Sequence, residues 1–179
     1  MERMTAAQYR AKVRGKVNRA QGLHFENLID ASCEHYKRFG IAYIEKTPEP
    51  MRVIQAMDRN KGIFKAVFAK AAQPDYKGTM YGGQAVVFEA KHTDIDRIKQ
   101  DAVTKEQWKA LDQHETMGAL CFVIVSLGMK FHRVPWSKWK TMKADLGHKY
   151  MNAADLADYE IPYKDGFLNF LTSDPTPFA

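Results

Sequence analysis

Helix-like and strand-like stretches interleave along this chain, and the pattern predicts an α/β class with a mixed β-sheet flanked by helices. Three observations carry that reading. Ala119 to Leu127 is a continuous apolar run rich in Val and Ile, as expected of a central strand covered on both faces. Gln84 to Lys91 alternates, so Ala85, Val87, Glu89 and Lys91 share one face and Val86, Phe88 and Ala90 the other. Thr104-Lys105-Glu106-Gln107 is a capping box, which starts a helix through Trp108, Leu111 and Met117 to a stop at Gly118. With 179 residues the chain fits one domain with a full-sized core.

The remaining elements follow in order. Residues 1–21 have weak apolar spacing, many basic residues and Gly15, and read as a mobile basic arm that brings Arg14, Lys16 and Arg19 to an anionic partner. Gly22 to Phe39 is a firmer helix, with Phe25, Leu28, Ile29, Cys33 and Tyr36 at three- and four-residue spacing and Gly40 as its stop. Glu26 borders that stripe, either reaching solvent or pointing into a site beside the helix. Ile41 to Lys46 is a short strand ended by Thr47-Pro48 and Pro50. Residues 52–73 have no clean period, hold Gly62 and carry Lys61, Lys65 and Lys70, so they read as a projecting basic excursion, with Phe64 and Phe68 free to pack or stack. Asp94 to Val103 is a polar connection. After Ala119 to Leu127, Gly128 turns the chain into Lys130 to Val134, and Pro135 begins a helix through Trp139 and Met142. The body of the chain spans residues 22–150, and residues 151–179 read as an acidic C-terminal tail.

The chemistry concentrates between Pro74 and Lys91. Gly82-Gly83 is a turn that folds Asp75 back toward Glu89. A two-residue loop would set Asp75 opposite Ala90, on the wrong face. A three-residue loop, Tyr81 to Gly83 with Gly83 left-handed, pairs Met80 with Gln84 and Asp75 with Glu89. Two carboxylates and the Lys91 ammonium then converge, as phosphodiester hydrolysis requires when oxygen ligands hold Mg²⁺ or Mn²⁺ and an ammonium orients the attacking water. Asp75 and Glu89 are sufficient as protein ligands, because Mg²⁺ keeps several waters. The competing reading of Glu89 and Lys91 is an ordinary solvated cross-strand pair, and Asp75-Tyr76-Lys77 is a decoy of similar form.

Charge supports the first reading. The net charge is +6, and residues 1–21 hold six Lys/Arg against one acid, residues 52–73 five against one, and residues 130–150 six against one. Residues 152–179 reverse this, with five acids and one lysine. Three basic segments around a metal site fit a nucleic-acid channel better than a membrane surface. Cys33 and Cys121 read as buried free thiols in a reducing compartment, and the six histidines have no zinc-ligand spacing. The longest apolar run, Ala119 to Val125, is too short to cross a bilayer and the N-terminus lacks a signal-peptide core, so a soluble, cytoplasmic protein is expected.

Taken together, these segments resemble the RecU family of Holliday-junction resolvases. The resemblance covers roughly residues 22–136 and rests on ordered signatures: Gly22-x-x-Phe25-Glu26, Lys46-Thr47-Pro48, Asp75-Tyr76-x-Gly78, Phe88-Glu89-Ala90-Lys91-x-Thr93, Gln107 and the apolar strand after Gly118. It implies a restriction-endonuclease-like fold, a homodimer, and symmetric nicking of two strands of a four-way junction during DNA recombination and repair. It implies metal binding by Asp75 and Glu89, catalytic support from Lys91, an acidic cluster completed by Glu26, and secondary roles for Gln107 and Thr93. The excursion would be the family's stalk, which enters the junction centre. Its lysines stand without an obvious counterpart to the family's functional arginine. The family is largely bacterial, with phage relatives, and recombination proteins are possible partners. Two other functions compete: a nuclease of the same fold that cuts ordinary duplex, and a non-catalytic DNA-binding recombination protein.

Overall fold

The computed structural model describes residues 6–48, 50–68 and 73–171, with side chains from residue 20. In chain order the helices and strands are α1 (Ala6–Arg38), β1 (Ala42–Lys46), β2 (Met51–Asp58), β3 (Ile63–Phe68), β4 (Tyr76–Met80), β5 (Ala85–Thr93), β6 (Arg97–Lys99), α2 (Lys105–Thr116), β7 (Leu120–Leu127), β8 (Lys130–Pro135), α3 (Trp136–Leu146), β9 (Tyr150–Asn152), β10 (Tyr163–Lys164) and β11 (Phe167–Leu168). Five strands form the central sheet in the order β1-β4-β5-β7-β8. β5 and β7 run parallel and the other neighbours antiparallel, so the sheet is mixed and flanked by helices, as the sequence predicts.

The alternation of β5 divides the core into two layers. Val86 and Phe88 pack with Phe25, Leu28, Ile29, Cys33 and Tyr36 of α1. Val87 packs on the other face with Leu111 of α2 and Trp136, Trp139 and Met142 of α3. β7 supplies Phe122 and Ile124 to the first layer and Val123 and Val125 to the second, all of them fully buried. Phe88 is stacked between Tyr76 and Phe122, with ring centroids 4.8 Å apart on each side. Gly78 lets β4 approach β1: a Cβ there would lie 2.1 Å from the Tyr43 carbonyl oxygen and 2.6 Å from Ile44 Cα. Both cysteines are buried and free, and burial pushes each thiol up to about 12. No helix among the described residues is long and apolar enough to cross a membrane.

Three expectations change. The helix predicted from Gly22 begins at Ala6, so the described part of the basic arm is an N-terminal extension of α1 and not a separate mobile segment. Ala, Arg, Lys and Gln are good helix formers, and Gly15 costs only about 1 kcal/mol within a long helix. Residues 151–171 are not an appended acidic tail. Met151, Leu156, Ile161, Leu168, Phe170 and Leu171 are buried, and β9 pairs with β6 from within the connection read as polar. Backbone ties anchor this end: Ser32 Oγ accepts from the Leu168 N–H at 2.7 Å, and Tyr36 Oη donates to the Leu168 carbonyl at 2.9 Å.

The excursion is a two-stranded antiparallel ribbon, β2 with β3, that pairs with no other strand among the described residues. Asp58 closes its tip by accepting the Asn60 and Lys61 N–H groups. Its apolar side chains Met51, Val53, Ile54, Met57, Phe64 and Phe68 are all exposed.

Candidate active site

Turn chemistry places the site. Gly82 and Gly83 both take positive φ, at 89° and 93°, the Gly83 N–H donates to the Met80 carbonyl and the Met80 N–H to the Gln84 carbonyl. β4 and β5 therefore pair Tyr76 with Phe88 and Lys77 with Val87, and one step further Asp75 faces Glu89. This is the three-residue-loop register that the sequence predicts.

Glu89 points to the α2 layer and is fully buried, Lys91 is 17% exposed and Asp75 33%, so the cluster runs from the core to the surface. Lys91 Nζ lies 2.8 Å from Glu89 Oε2 and 3.6 Å from Asp75 Oδ2. The Ala90 N–H donates to Asp75 Oδ2 at 3.0 Å, which pins that carboxylate over the strand. Gln107 ties the cluster to α2. Its Oε1 accepts the Thr104 N–H at 3.0 Å while Thr104 Oγ1 accepts the Gln107 N–H, completing the predicted capping box. The same side chain donates from Nε2 to Glu89 Oε2 at 2.6 Å. Glu89 Oε2 thus takes two donors, whereas no N–H donor among the described residues reaches the buried Oε1, and the Asp75 carboxylate lies within hydrogen-bond reach of a protonated Glu89.

Burial pushes the Glu89 carboxyl from 4.5 up to about 8; Lys91 opposes this shift and the neighbouring Asp75 adds to it. Ionising both carboxyls together beside a single ammonium therefore calls for further positive charge. The side-chain donors that could hold a metal here are carboxylate oxygens only, which suits a hard divalent cation better than zinc. Among the described residues no group of three or more His, Cys, Asp or Glu side chains converges to hold a metal.

The other predicted residues lie elsewhere. Glu26 is not gathered with Asp75 and Glu89. It rides on α1, which covers the Phe88 face, and its Oε2 accepts from Lys46 Nζ at 2.6 Å. Glu26 holds the Lys46 ammonium above its usual value, with smaller contributions from Asp30 and Asp75, so Lys46 connects Glu26 electrostatically to the site's rim. Lys46 and Asp30, which accepts from the Tyr76 hydroxyl at 2.8 Å, had no assigned role in the sequence reading. The signal for Lys46 was available: it pairs with Tyr76 and shares the face of Ala42 and Ile44. Thr93 sits at the end of β5, where its hydroxyl accepts from the Ile95 N–H and donates to the Arg97 carbonyl, each at 3.4 Å. Lys61 is at the tip of the β2–β3 ribbon and Lys65 on β3, both exposed. Lys70 and the side chains of Arg14, Lys16 and Arg19 lie outside the described residues.

Comparison with known proteins decides the family. The model of the family described as Recombination protein U, RecU, matches residues 20–172. The chain belongs to the RecU family. Among curated relatives, the Holliday junction resolvase RecU of Streptococcus pneumoniae serotype 19F (strain G54) is 31% identical over 153 residues, covering 82% of this chain and 77% of the relative. That of Streptococcus thermophilus is 34% identical over 128 residues, covering 66% and 62%. Among solved structures, Archaeoglobus fulgidus Hjc, a Holliday junction resolvase from an archaeal hyperthermophile, superposes with a TM-score of 0.45 at 13% identity, covering 76% of this chain and 88% of that one. The RecU match extends through β10 and β11, which fits the burial of Met151, Leu156, Ile161, Leu168, Phe170 and Leu171 in this chain.

Proposed function

We propose that this protein is a divalent-metal-dependent endonuclease that resolves four-way DNA junctions by nicking two strands symmetrically. The observation that carries the reading is the convergence of Asp75, Glu89 and Lys91 around a buried, unpartnered Glu89 oxygen in a chain of the RecU family.

Asp75 and Glu89 would hold Mg²⁺, or Mn²⁺ in its place, which would polarise the scissile phosphoryl group and offset its developing charge. Glu89 Oε2 is held by Lys91 and Gln107, which leaves Oε1 as the ligating atom. The Ala90 N–H fixes Asp75 with no side-chain entropy to lose. Lys91 places a positive charge beside both carboxylates, where it orients the water that attacks the phosphorus and supports the pentacoordinate phosphorane. Gln107 supplies orientation, not charge.

Basic segments on α1, the ribbon and residues 130–150 would carry the DNA backbone, and a homodimer would give the two active sites that symmetric nicking requires. Its place is the cytoplasm of a bacterial or phage-infected cell, beside recombination proteins. The test is a competition assay: labelled four-way junction with Mg²⁺ and a large excess of linear duplex. A resolvase goes on cutting the junction. A duplex nuclease is competed away, and a non-catalytic DNA-binding protein cuts neither substrate.

A further inference from the structure

The β6–β9 ribbon and the start of α2 enclose a second concave site, a groove of about 530 Å³ lined chiefly by Lys99, Lys105, Lys149, Trp108 and Asp101. Its volume falls in the roughly 300–1,000 Å³ range of sites that enclose small ligands. Three ammonium groups face one carboxylate. Among the described residues Lys99, Lys105 and Lys149 make no ion pair, a state they share with Lys65, Lys77, Lys109, Lys143 and Lys164, but only these three gather in one concavity. An unneutralised trio in a concavity favours an anion.

The groove is preformed. The Gln100 N–H donates to the Lys149 carbonyl at 3.0 Å, and the Gln100 side-chain amide donates to the Trp139 and Lys140 carbonyls. Lys99 pairs with Tyr150 in the β6–β9 ladder. Trp108 is half-buried and packs edge-on against Trp136, at 4.7 Å between centroids, and its indole N–H donates to no described residue. An aromatic surface among lysines is the arrangement that binds single-stranded nucleic acid, with stacking for a base and charge for its phosphates. A base within duplex DNA has both faces covered, so only an unpaired one can use it.

Lys105 and Trp108 of the groove stand beside Gln107 in the sequence of α2, and Gln107 holds Glu89, so the same helical turn contributes to groove and cluster. We propose that the groove binds an unpaired stretch of the DNA strand beside the cut, with Lys99, Lys105 and Lys149 on its phosphates and a base against Trp108. The proposal rests on the nuclease reading for its choice of DNA.

Intrinsic fluorescence tests it, because Trp136 and Trp139 are fully buried and Trp108 is the one remaining tryptophan of the three. Full-length protein in chelator, where no cleavage occurs, is titrated with oligothymidylate at several salt concentrations. A saturable quench is expected. Trp108→Phe should abolish it and weaken binding, followed by anisotropy of a labelled oligonucleotide, by roughly 5- to 100-fold. Combined Lys99→Ala, Lys105→Ala and Lys149→Ala should move the midpoint at least about 10-fold and flatten the salt slope by about 2, at about 0.7 per phosphate contact. These lysines are exposed, and an unchanged thermal melt confirms that the variant is folded. No quench in the wild type, or an unchanged midpoint and slope in the lysine variant, overturns the groove. Junction cleavage is scored separately: a quench without cleavage removes the resolvase reading and leaves the groove, and cleavage without a quench does the reverse.

Discussion

Phe88 and Phe68 sit on strands of the same chain and meet opposite fates. Phe88 is fully buried between Tyr76 and Phe122, while Phe68, on the β2–β3 ribbon, is 67% exposed. Pairing separates the two regions in part: β5 is bonded to β4 on one side and β7 on the other, whereas β3 is bonded to β2 alone, through an interrupted ladder. What differs further is cover. The central sheet carries a packed layer on each face, whereas the ribbon carries none and is bent by two register shifts. A two-stranded hairpin alone is at best marginally stable in water, and contiguous exposed apolar surface marks a contact surface. The ribbon is thus basic, as the sequence suggests, and also apolar, as Met51, Val53, Ile54, Met57, Phe64 and Phe68 show. On our reading the covered sheet does the chemistry and the uncovered ribbon chooses the substrate.

Stability separates the two regions most. Phe88→Ala should cost about 3–5 kcal/mol in denaturant unfolding, and Phe68→Ala no more than about 0.5 kcal/mol. Gly78→Ala joins the first class, since its Cβ must displace the β1 backbone. Comparable costs for Phe88→Ala and Phe68→Ala would mean that the ribbon is covered in the folded protein.

Next in size is the effect of Gln107→Ala, which removes a donor to Glu89 and half of the α2 cap. Cleavage should fall about 10- to 100-fold, as when a group that orients a metal ligand is lost. Junction affinity should stay within about 2-fold. A loss of affinity that matches the loss of rate would show that α2 acts through DNA binding and not through Glu89.

The pH profile isolates the covered site. Because Glu89 rises from 4.5 to about 8 on folding, the folded metal-free chain holds a proton across that interval that the unfolded chain has released. Stability therefore falls as pH rises from about 4.5 to about 8 and is insensitive to this group outside that window. Urea midpoints of the wild type against Glu89→Gln, at pH 5 and pH 8, read the difference: the fall should shrink in the variant. Mg²⁺ should also reduce it, by selecting the ionised carboxylate.

The smallest effect belongs to the ribbon surface. Met57→Ser with Phe64→Ser should leave the melting midpoint and duplex affinity unchanged and lower the ratio of junction to duplex affinity several-fold. A preserved ratio would take substrate choice away from the ribbon.

Much of the site was legible because turn chemistry and a two-residue period act locally. Gly82-Gly83 and the alternation of β5 narrow the register to two, of which only the three-residue loop sets Asp75 opposite Glu89, and a capping box is a four-residue pattern that also brings Gln107 inward. Misreadings arose where cover is set by distant chain. Residues 152–171 looked like a tail because four acids stand against one lysine there and the apolar residues keep no regular period, yet Leu156, Ile161 and Phe170 pack against the sheet and α3 layers. Glu26 has the right chemistry for a ligand, but sequence does not tell which sheet face α1 covers. The first half of α1 lacked periodicity, and backbone propensity alone carries it.

The central claim is that Asp75, Glu89 and Lys91 cut while surfaces elsewhere hold the DNA. Glu89→Gln tests it most directly, because the substitution keeps the size of a fully buried side chain and removes its charge. Junction dissociation constant and single-turnover cleavage are measured on the same preparation at fixed salt with Mg²⁺. The account predicts a constant within about 2-fold of wild type and a cleavage rate reduced by at least about 100-fold. Cleavage near the wild-type rate, or a binding loss as large as the rate loss, would contradict it.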